Sequence, residues 1–383
     1  MDLLIIGGTG VLSSAVTAQA IKAGIDVTMI NRGNRSIPGG VKHIKANKDD
    51  LQIIADALQG KIFDAVMDFL CVTEEQTKKS VRFYSQYCKQ YIYISSSAVY
   101  NTEVLTGKIG VEDSPKVLAA WDYSIDKWKS EKVVMNLLVG SDVKYTVIRP
   151  CVTYDDTRIP YGISPMYGYH WTICARILAG KPIIRWNHGV NRCNMMRVED
   201  FAIGVVGLIG NKDAYNEAFN ICGDETPSWN DVLKIVSEYL EKEIITIDIP
   251  SEFYALHYPS KSGEIIGRSL DSINSNDKIK RIVPSFKQTI TLTDGIIKTL
   301  EAYKTNNYQR GIDWLFDAIT DRVVSLFLKQ NNIDSRPYKL EFVDYLGSST
   351  IDDKVTYFCA RKSDNPFIID RVPHYFRKLA RIF

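Results

Sequence analysis

Tyr123 and Lys127 are the pair whose types and spacing most directly suggest acid–base chemistry. They stand at i and i+4, so a helix would project both from one face. A tyrosine ordinarily titrates at about pH 10. An ammonium one turn away favours its phenolate, which can then accept a proton at neutral pH. A run of three serines, Ser95 to Ser97, comes before them in the chain. A serine hydroxyl there can bridge a substrate hydroxyl to the tyrosine. Each feature alone is common: Y-x-x-x-K pairs arise by chance, and serines after a strand often serve the turn. Their weight comes from what precedes them.

That is the stretch LLIIGGTGVLSS at residues 3–14. The apolar run 3–6, bounded by glycine, reads as a strand buried on both faces. Gly7, Gly8, Thr9 and Gly10 force a tight turn. Residues 11–22 follow with helical spacing, Leu12, Val16, Ala20 and Ile21 falling on one side. Strand, turn and helix N-terminus aim backbone N–H groups at one point, which suits a pyrophosphate. The spacing is G-x-x-G-x-x-S, with Ser13 as the small residue in the third place. Gly7, Thr9, Gly10 and Val11 are therefore candidate cofactor contacts. A second strand at 25–31 ends at Asn31 and Arg32, where the adenine ribose of a dinucleotide would sit. NAD selection uses an acid at that point. Here the residue is neutral, and Arg32 can meet a 2′-phosphate or stack on adenine. The cofactor is NAD or NADP, with Arg32 tilting the reading toward NADP.

The rest of the chain must position these groups. A short third strand is expected at 43–46 and a helix at 50–58. A fourth strand (FDAVMDFL) is expected at 63–70, a helix at 74–87 and a fifth strand (QYIYIS) at 90–95. A long helix at 116–138 would carry Tyr123 and Lys127, and a sixth strand runs over 144–148. Strands alternating with helices predict a parallel, doubly wound α/β sheet. Residues 154–170 hold two prolines, two glycines and four tyrosines, and read as an ordered loop over a pocket. Helices are expected at 171–178, from Ser228 with its S-x-x-D start, and over 311–329. Residues 337–344 and 355–360 can be strands or short helices.

Composition bounds the class. Of 383 residues 45% are apolar and 24% charged, as in an ordinary globular enzyme. A net charge of +2 supplies no field to gather nucleic acid or an anionic membrane. No apolar stretch reaches the roughly 18 residues of a membrane span. Seven cysteines without a C-x-x-C pair argue against disulfides and zinc, and for a reducing compartment. The five histidines show no ligand spacing, so no metal is expected. The first strand begins at once, so no signal peptide is expected. The expected setting is cytoplasmic.

Taken in order, the motifs resemble the extended short-chain dehydrogenases/reductases, in particular NAD(P)-dependent nucleotide-sugar epimerases and dehydratases. The resemblance spans residues 1–300. Its markers are GGTGVLS at 7–13, FDAVMDF at 63–69, SSSAVY at 95–100, Tyr123/Lys127, IRPCVTY at 148–154, RVEDFA at 197–202 and FNICGDE at 219–225. It implies a Rossmann-type domain over 1–153, its sheet extended by segments near 195–225. It also implies a smaller substrate-binding part over 154–304. Residues 305–383 lie beyond the family's usual end and are expected to add a C-terminal α/β lobe of unknown role.

The resemblance implies Ser96, Tyr123 and Lys127 as catalytic residues. Phe69, Pro150 and Val152 would lie along the cofactor, and Ser97 beside the substrate. Asn47 and Lys48 stand where an acidic pair often touches the adenine. Arg192 and Arg197 are both candidates for the arginine that meets a nucleotide diphosphate, where bidentate contact suits a guanidinium. Water-eliminating members carry Asp-Glu after the catalytic Ser/Thr; Ser97 and Ala98 stand there instead, which disfavours a 4,6-dehydratase. What remains is epimerisation or one-way reduction of an activated sugar. The resemblance also implies a homodimer. The alternative is a relative that binds cofactor or RNA as a regulator without turnover, a branch that Asn31-Arg32-Gly33 resembles. The tail PHYFRKLARIF at 373–383 can form a basic amphipathic helix, and is expected to fold onto its own chain or dimer mate rather than a membrane.

Overall fold

The first strand alternates its side chains between two cores. In the computed structural model, which describes residues 1–306, 311–340, 349–363 and 365, β1 (Asp2–Ile6) buries Leu3 and Ile5 on one face and Leu4 and Ile6 on the other. A strand covered on both faces belongs in the middle of a parallel sheet. β2 (Asp26–Asn31) and β3 (Lys42–Lys45) follow on one side of it. β4 (Phe63–Asp68), β5 (Cys88–Ile94) and β6 (Lys144–Pro150) follow on the other. With strand Glu217–Ile221 at the edge, the order is Glu217–Ile221, β6, β5, β4, β1, β2, β3, and every pairing is parallel. The order reverses between β1 and β4, where a doubly wound sheet opens its ligand crevice.

The helices between these strands are α1 (Val11–Lys22), α2 (Leu51–Leu58), α3 (Glu74–Tyr84) and α4 (Asp122–Leu138). Val16 and Ala20 of α1 join Phe201, Ala202 and Val205 of helix Val198–Val206 in the core on one face. Ile54, Val81 and Val134 of α2, α3 and α4 fill the opposite core. The Rossmann-type α/β architecture is thus the one expected, and it makes up a unit of residues 1–155, 192–226 and 270–292.

Several boundaries differ for physical reasons. The helix carrying Tyr123 begins at Asp122, not at 116. Val117 has φ +74°, its N–H donates to the Val99 carbonyl (2.7 Å), and Lys116 bridges Tyr100. A helix cannot pass through a left-handed valine. β5 starts two residues early, at Cys88, and stops at Ile94. β6 runs on to Pro150. The α-helix at 74 ends at Tyr84, and Ser85–Tyr87 tightens into a 3₁₀ turn.

The second unit comprises residues 156–191, 227–269 and 293–383. Residues 159–165 are buried. Tyr161 and Ile163 line a small cavity with Trp186, Tyr254 and Phe316. Strands Ile183–Arg185 and Thr246–Asp248 pair in parallel. Ser228 caps helix Trp229–Leu240 through the Asp231 N–H. Beyond residue 305 the described elements are helices, Trp314–Gln330 and Ile351–Lys362. Residues 355–360 are therefore helical, and no strand of the expected α/β lobe occurs among the described residues. Residues 341–344 and the tail 373–383 lie outside the described residues.

A buried ion cluster ties the helices of this unit. Arg176 and Lys181 meet Asp317 and Asp321; Lys181 Nζ stands 3.1 and 2.6 Å from the two carboxylates. All four side chains are at most 1% exposed. The Tyr357 hydroxyl donates to Asp321, and Arg361 stands 3.1 Å from the same carboxylate.

Candidate functional site

The cofactor turn is built as its sequence requires. Gly7 has φ +110° and Gly8 φ +88°, a region costly for other residues. A side chain on Gly8 would also collide with Met29. The Gly7 N–H donates to the Ile30 carbonyl (2.9 Å), and the Gly10 N–H to Ser13 Oγ (2.8 Å). Val11 opens α1, so the helix N-terminus faces the turn beside Thr9. This bare turn at the reversal of strand order fits the pyrophosphate of a dinucleotide. Phe69 follows β4 and donates its N–H to the Ile6 carbonyl (3.2 Å), placing it against the same turn.

At the ribose end, Asn31 is fully engaged. Its Nδ2 donates to the Gly7 carbonyl (2.9 Å), and its Oδ1 accepts from the Gly33 N–H (2.8 Å). His43 Nε2 lies 3.0 Å from the same oxygen. Arg32 is exposed. Arg35, which the sequence reading passed over, donates to the Thr9 carbonyl and so reaches into the turn. Nothing in its spacing marks it, because the contact depends on how the loop folds back. Asn47 organises its own turn, its Oδ1 accepting from the Asp49 N–H (3.4 Å). Lys48 stands next to it, 3.9 Å from the Asp49 carboxylate.

Ser96, Tyr123 and Lys127, the expected catalytic residues, lie around the end of β5 and the start of α4. Ser96 accepts the Ala98 N–H (3.2 Å) and caps the short turn Ser97–Val99; Ser96 and Ser97 are half-buried. Tyr123 lies in the first turn of α4, about one-third exposed, its ring 5.7 Å from that of Trp121. Lys127, one turn on, is buried. Its Nζ donates to the carbonyls of Cys71 and Ile94, both at 2.9 Å, and points at the Tyr93 hydroxyl (3.3 Å). The same nitrogen lies 5.9 Å from the centre of the Tyr123 ring. Burial pulls the lysine down to about 8; the negative charges of Asp68 and Glu131 oppose that pull. Pro150 ends β6, and Val152 opens strand Val152–Tyr154 just beyond it.

The two candidate arginines differ in environment. Arg197 is 1% exposed, doubly bonded to Glu199 (3.0 and 2.8 Å) and stacked over Tyr154. Arg192 is exposed, and its backbone is fixed: its N–H donates to Asp271 (2.7 Å) and its carbonyl accepts from Ser272. Burial holds Cys222 well above the ordinary thiol range and pushes Cys151 up to about 12, so neither is a ready nucleophile. Among the described residues no group of His, Cys, Asp or Glu is arranged to hold a metal ion. No helix among them is long and apolar enough to cross a membrane.

The fold is shared with solved epimerases. UDP-glucose 4-epimerase of Thermotoga maritima, solved with UDP-glucose, superposes with a TM-score of 0.64 at 18% identity, over 80% of this chain and all of that one. UDP-glucuronic acid 4-epimerase of Bacillus cereus, solved with NAD, gives 0.61 at 16%, over 81% and 98%. In sequence, the chloroplast stem-loop binding protein of 41 kDa b of Arabidopsis thaliana is 26% identical over 270 residues, 66% of this chain and 67% of that protein. A UDP-glucose 4-epimerase of Lactobacillus helveticus is 23% identical over 170 residues, 39% of this chain and about half (51%) of that one. The profile of the NAD dependent epimerase/dehydratase family matches residues 3–222, the stretch that carries the glycine turn, the serine run and the Tyr123/Lys127 helix. The chain belongs to the NAD-dependent epimerase/dehydratase family.

Proposed function

We propose that the protein is an NAD(P)-dependent epimerase or reductase acting on a hydroxyl or keto group of a nucleotide-activated sugar, with Tyr123 as general acid/base. What carries the reading is Lys127: a buried ammonium one helical turn from a part-exposed tyrosine, 5.9 Å from its ring. Its N–H groups are directed to the Cys71 and Ile94 carbonyls and to Tyr93. Lys127 therefore acts on Tyr123 as a fixed positive charge, and a nearby cation favours the phenolate. Tyr123 takes the proton of the sugar hydroxyl and returns it when the carbonyl is reduced. Ser96 hydrogen-bonds the same oxygen. When bound, the nicotinamide serves as hydride carrier. Arg192 is the better of the two arginines for a diphosphate, since Arg197 is committed to Glu199.

NADP suits the β2 end better than NAD. Asn31 offers no carboxylate to a ribose 2′-OH, while Arg32 and Arg35 offer guanidinium groups to a phosphate. The test of the whole reading is the change in nicotinamide absorbance, with product analysis, when purified protein is given a panel of nucleotide sugars and either cofactor. Turnover with none of them would sink it.

A second reading is favoured by the 26% identity to a stem-loop binding protein: a cofactor-binding regulator or RNA-binding protein without turnover. Retention of Tyr123 and Lys127 and a net charge of only +2 weigh against it. Salt-sensitive retention of a stem-loop RNA, with no absorbance change on any sugar, would favour it instead.

A further inference from the structure

Asp68 ends β4 between Ile6 of β1 and Tyr93 of β5, and is 1% exposed. Its carboxylate accepts from the Leu70 N–H (2.7 Å), Cys71 Sγ (3.0 Å), the Tyr91 hydroxyl (3.2 Å) and Ser80 Oγ. These bonds fold residues 69–72 into a fixed turn. One edge of that turn abuts the cofactor loop: a Cβ on Gly7 would lie 3.3 Å from Leu70. On the other, the Cys71 carbonyl accepts from Lys127 Nζ and from the Tyr93 hydroxyl (3.4 Å).

The donors around Asp68 are all neutral, and a buried carboxylate with neutral donors alone is costly. Cys71 links it to a buried cation: the thiol donates to Asp68 (3.0 Å), and the carbonyl of the same residue accepts from Lys127 Nζ (2.9 Å), within reach of the Asp68 charge. The other titratable groups around Lys127 leave it no better counter-charge. Tyr93 of β5 and Cys71 of the turn are held neutral by burial, as is Tyr84 of α3 beside Asp68. On its own helix, Glu131 is neutralised by Arg149, at 2.6 Å. Tyr123 is the group it serves.

We propose that Asp68 is a positioning residue for the reaction: through Cys71 it fixes the carbonyl that holds Lys127, and its charge keeps that lysine a cation beside Tyr123. The proposal rests on the assignment of Tyr123 and Lys127 above. It predicts that Lys127 titrates lower when Asp68 loses its charge, and that the alkaline limb of turnover follows.

The test uses the full chain labelled with [13Cε]lysine, the Lys127 resonance being assigned by its loss in Lys127→Arg. In Asp68→Asn the Lys127 midpoint should fall by about one pH unit or more, the scale of a lost opposite charge. Asp68→Glu should hold it near the wild-type value. The alkaline limb of kcat should move by the same amount, with KM changed less than about twofold. Should Asp68→Asn fail to fold, Asp68→Ser, whose hydroxyl can still accept the Leu70 N–H, carries the same measurement. An unmoved Lys127 midpoint in a folded, uncharged variant overturns the proposal. A shifted midpoint in a protein that turns over no nucleotide sugar overturns instead the reaction assigned to the site, and leaves the Asp68–Lys127 coupling standing.

Discussion

Arg149, the penultimate residue of β6, and Glu131, on the inner face of α4, form a doubly bonded pair: Nε to Oε1 at 2.9 Å and Nη2 to Oε2 at 2.6 Å, with side chains 2% and 0% exposed. Arg149 also reaches the Tyr100 hydroxyl (2.9 Å) and the Glu112 carbonyl (2.7 Å). One guanidinium thus fixes α4, the strand leading into Pro150, and the loop between β5 and α4. Glu131 is one turn beyond Lys127, so the pair also sets the helix register that presents Tyr123.

Removing one partner leaves the other charged and buried. Glu131→Gln is expected to destabilise the fold by about 3–5 kcal/mol, the cost typical of a broken buried pair. Chemical denaturation against wild type checks this. A loss under about 1 kcal/mol would mean that Arg149 is served by its other acceptors.

Tyr123→Phe should leave the fold and cofactor affinity intact and lower turnover at least a hundredfold, roughly the scale of lost general acid–base help. The ring stays, so its packing near Trp121 stays. Wild-type turnover by the purified variant on the identified sugar would remove Tyr123 from the mechanism.

Turnover and stability should respond to alkali with opposite signs. Lys127 is drawn down to about 8 by burial in the native state, against about 10.4 in an unfolded chain. Between those values the unfolded state binds the extra proton, so this group's contribution to stability rises with pH. Its positive charge beside Tyr123 is meanwhile lost. We predict that kcat falls as pH rises through about 8, without a matching fall in Tm owed to this residue. A flat profile to pH 10 contradicts it.

Deleting residues 305–383 should yield insoluble or strongly destabilised protein. The cut removes Asp317 and Asp321 and leaves Arg176 and Lys181 as buried cations, each costing several kcal/mol, roughly, if it stayed in place. Recovery of a soluble truncation that melts like the full chain would show that these charges find water instead.

A homodimer is expected, as the family resemblance implies, with the same surface buried on both subunits. Light scattering at micromolar concentration should give about twice the 43.4 kDa chain mass; the single-chain mass would end this expectation.

Much of this was legible from residue types. The glycines of the turn announce positive φ because little else tolerates it, and residues 3–6 announce a doubly covered strand by having no polar alternation. Tyr123 and Lys127 could be paired from spacing alone. What escaped was whatever depends on a distant contact. Val117 carries no sign of its left-handed backbone, which is set by its bond to Val99 and moves the helix start six residues. Arg192 and Arg197 look alike until burial separates them. Asp68 reads as the polar end of an apolar strand, because Ser80 and Tyr91, its donors, are 12 and 23 residues away.

The cluster around Asp317 and Asp321 also orders events in time. Arg176 and Lys181 leave the ribosome well before the carboxylates that neutralise them, which lie 136 to 145 residues later. Until helix Trp314–Gln330 is made, the second unit holds two cations whose carboxylates do not yet exist. Closure of the cluster therefore waits on the end of the chain: only when the late helix Trp314–Gln330 exists can the interior laid down early be shut.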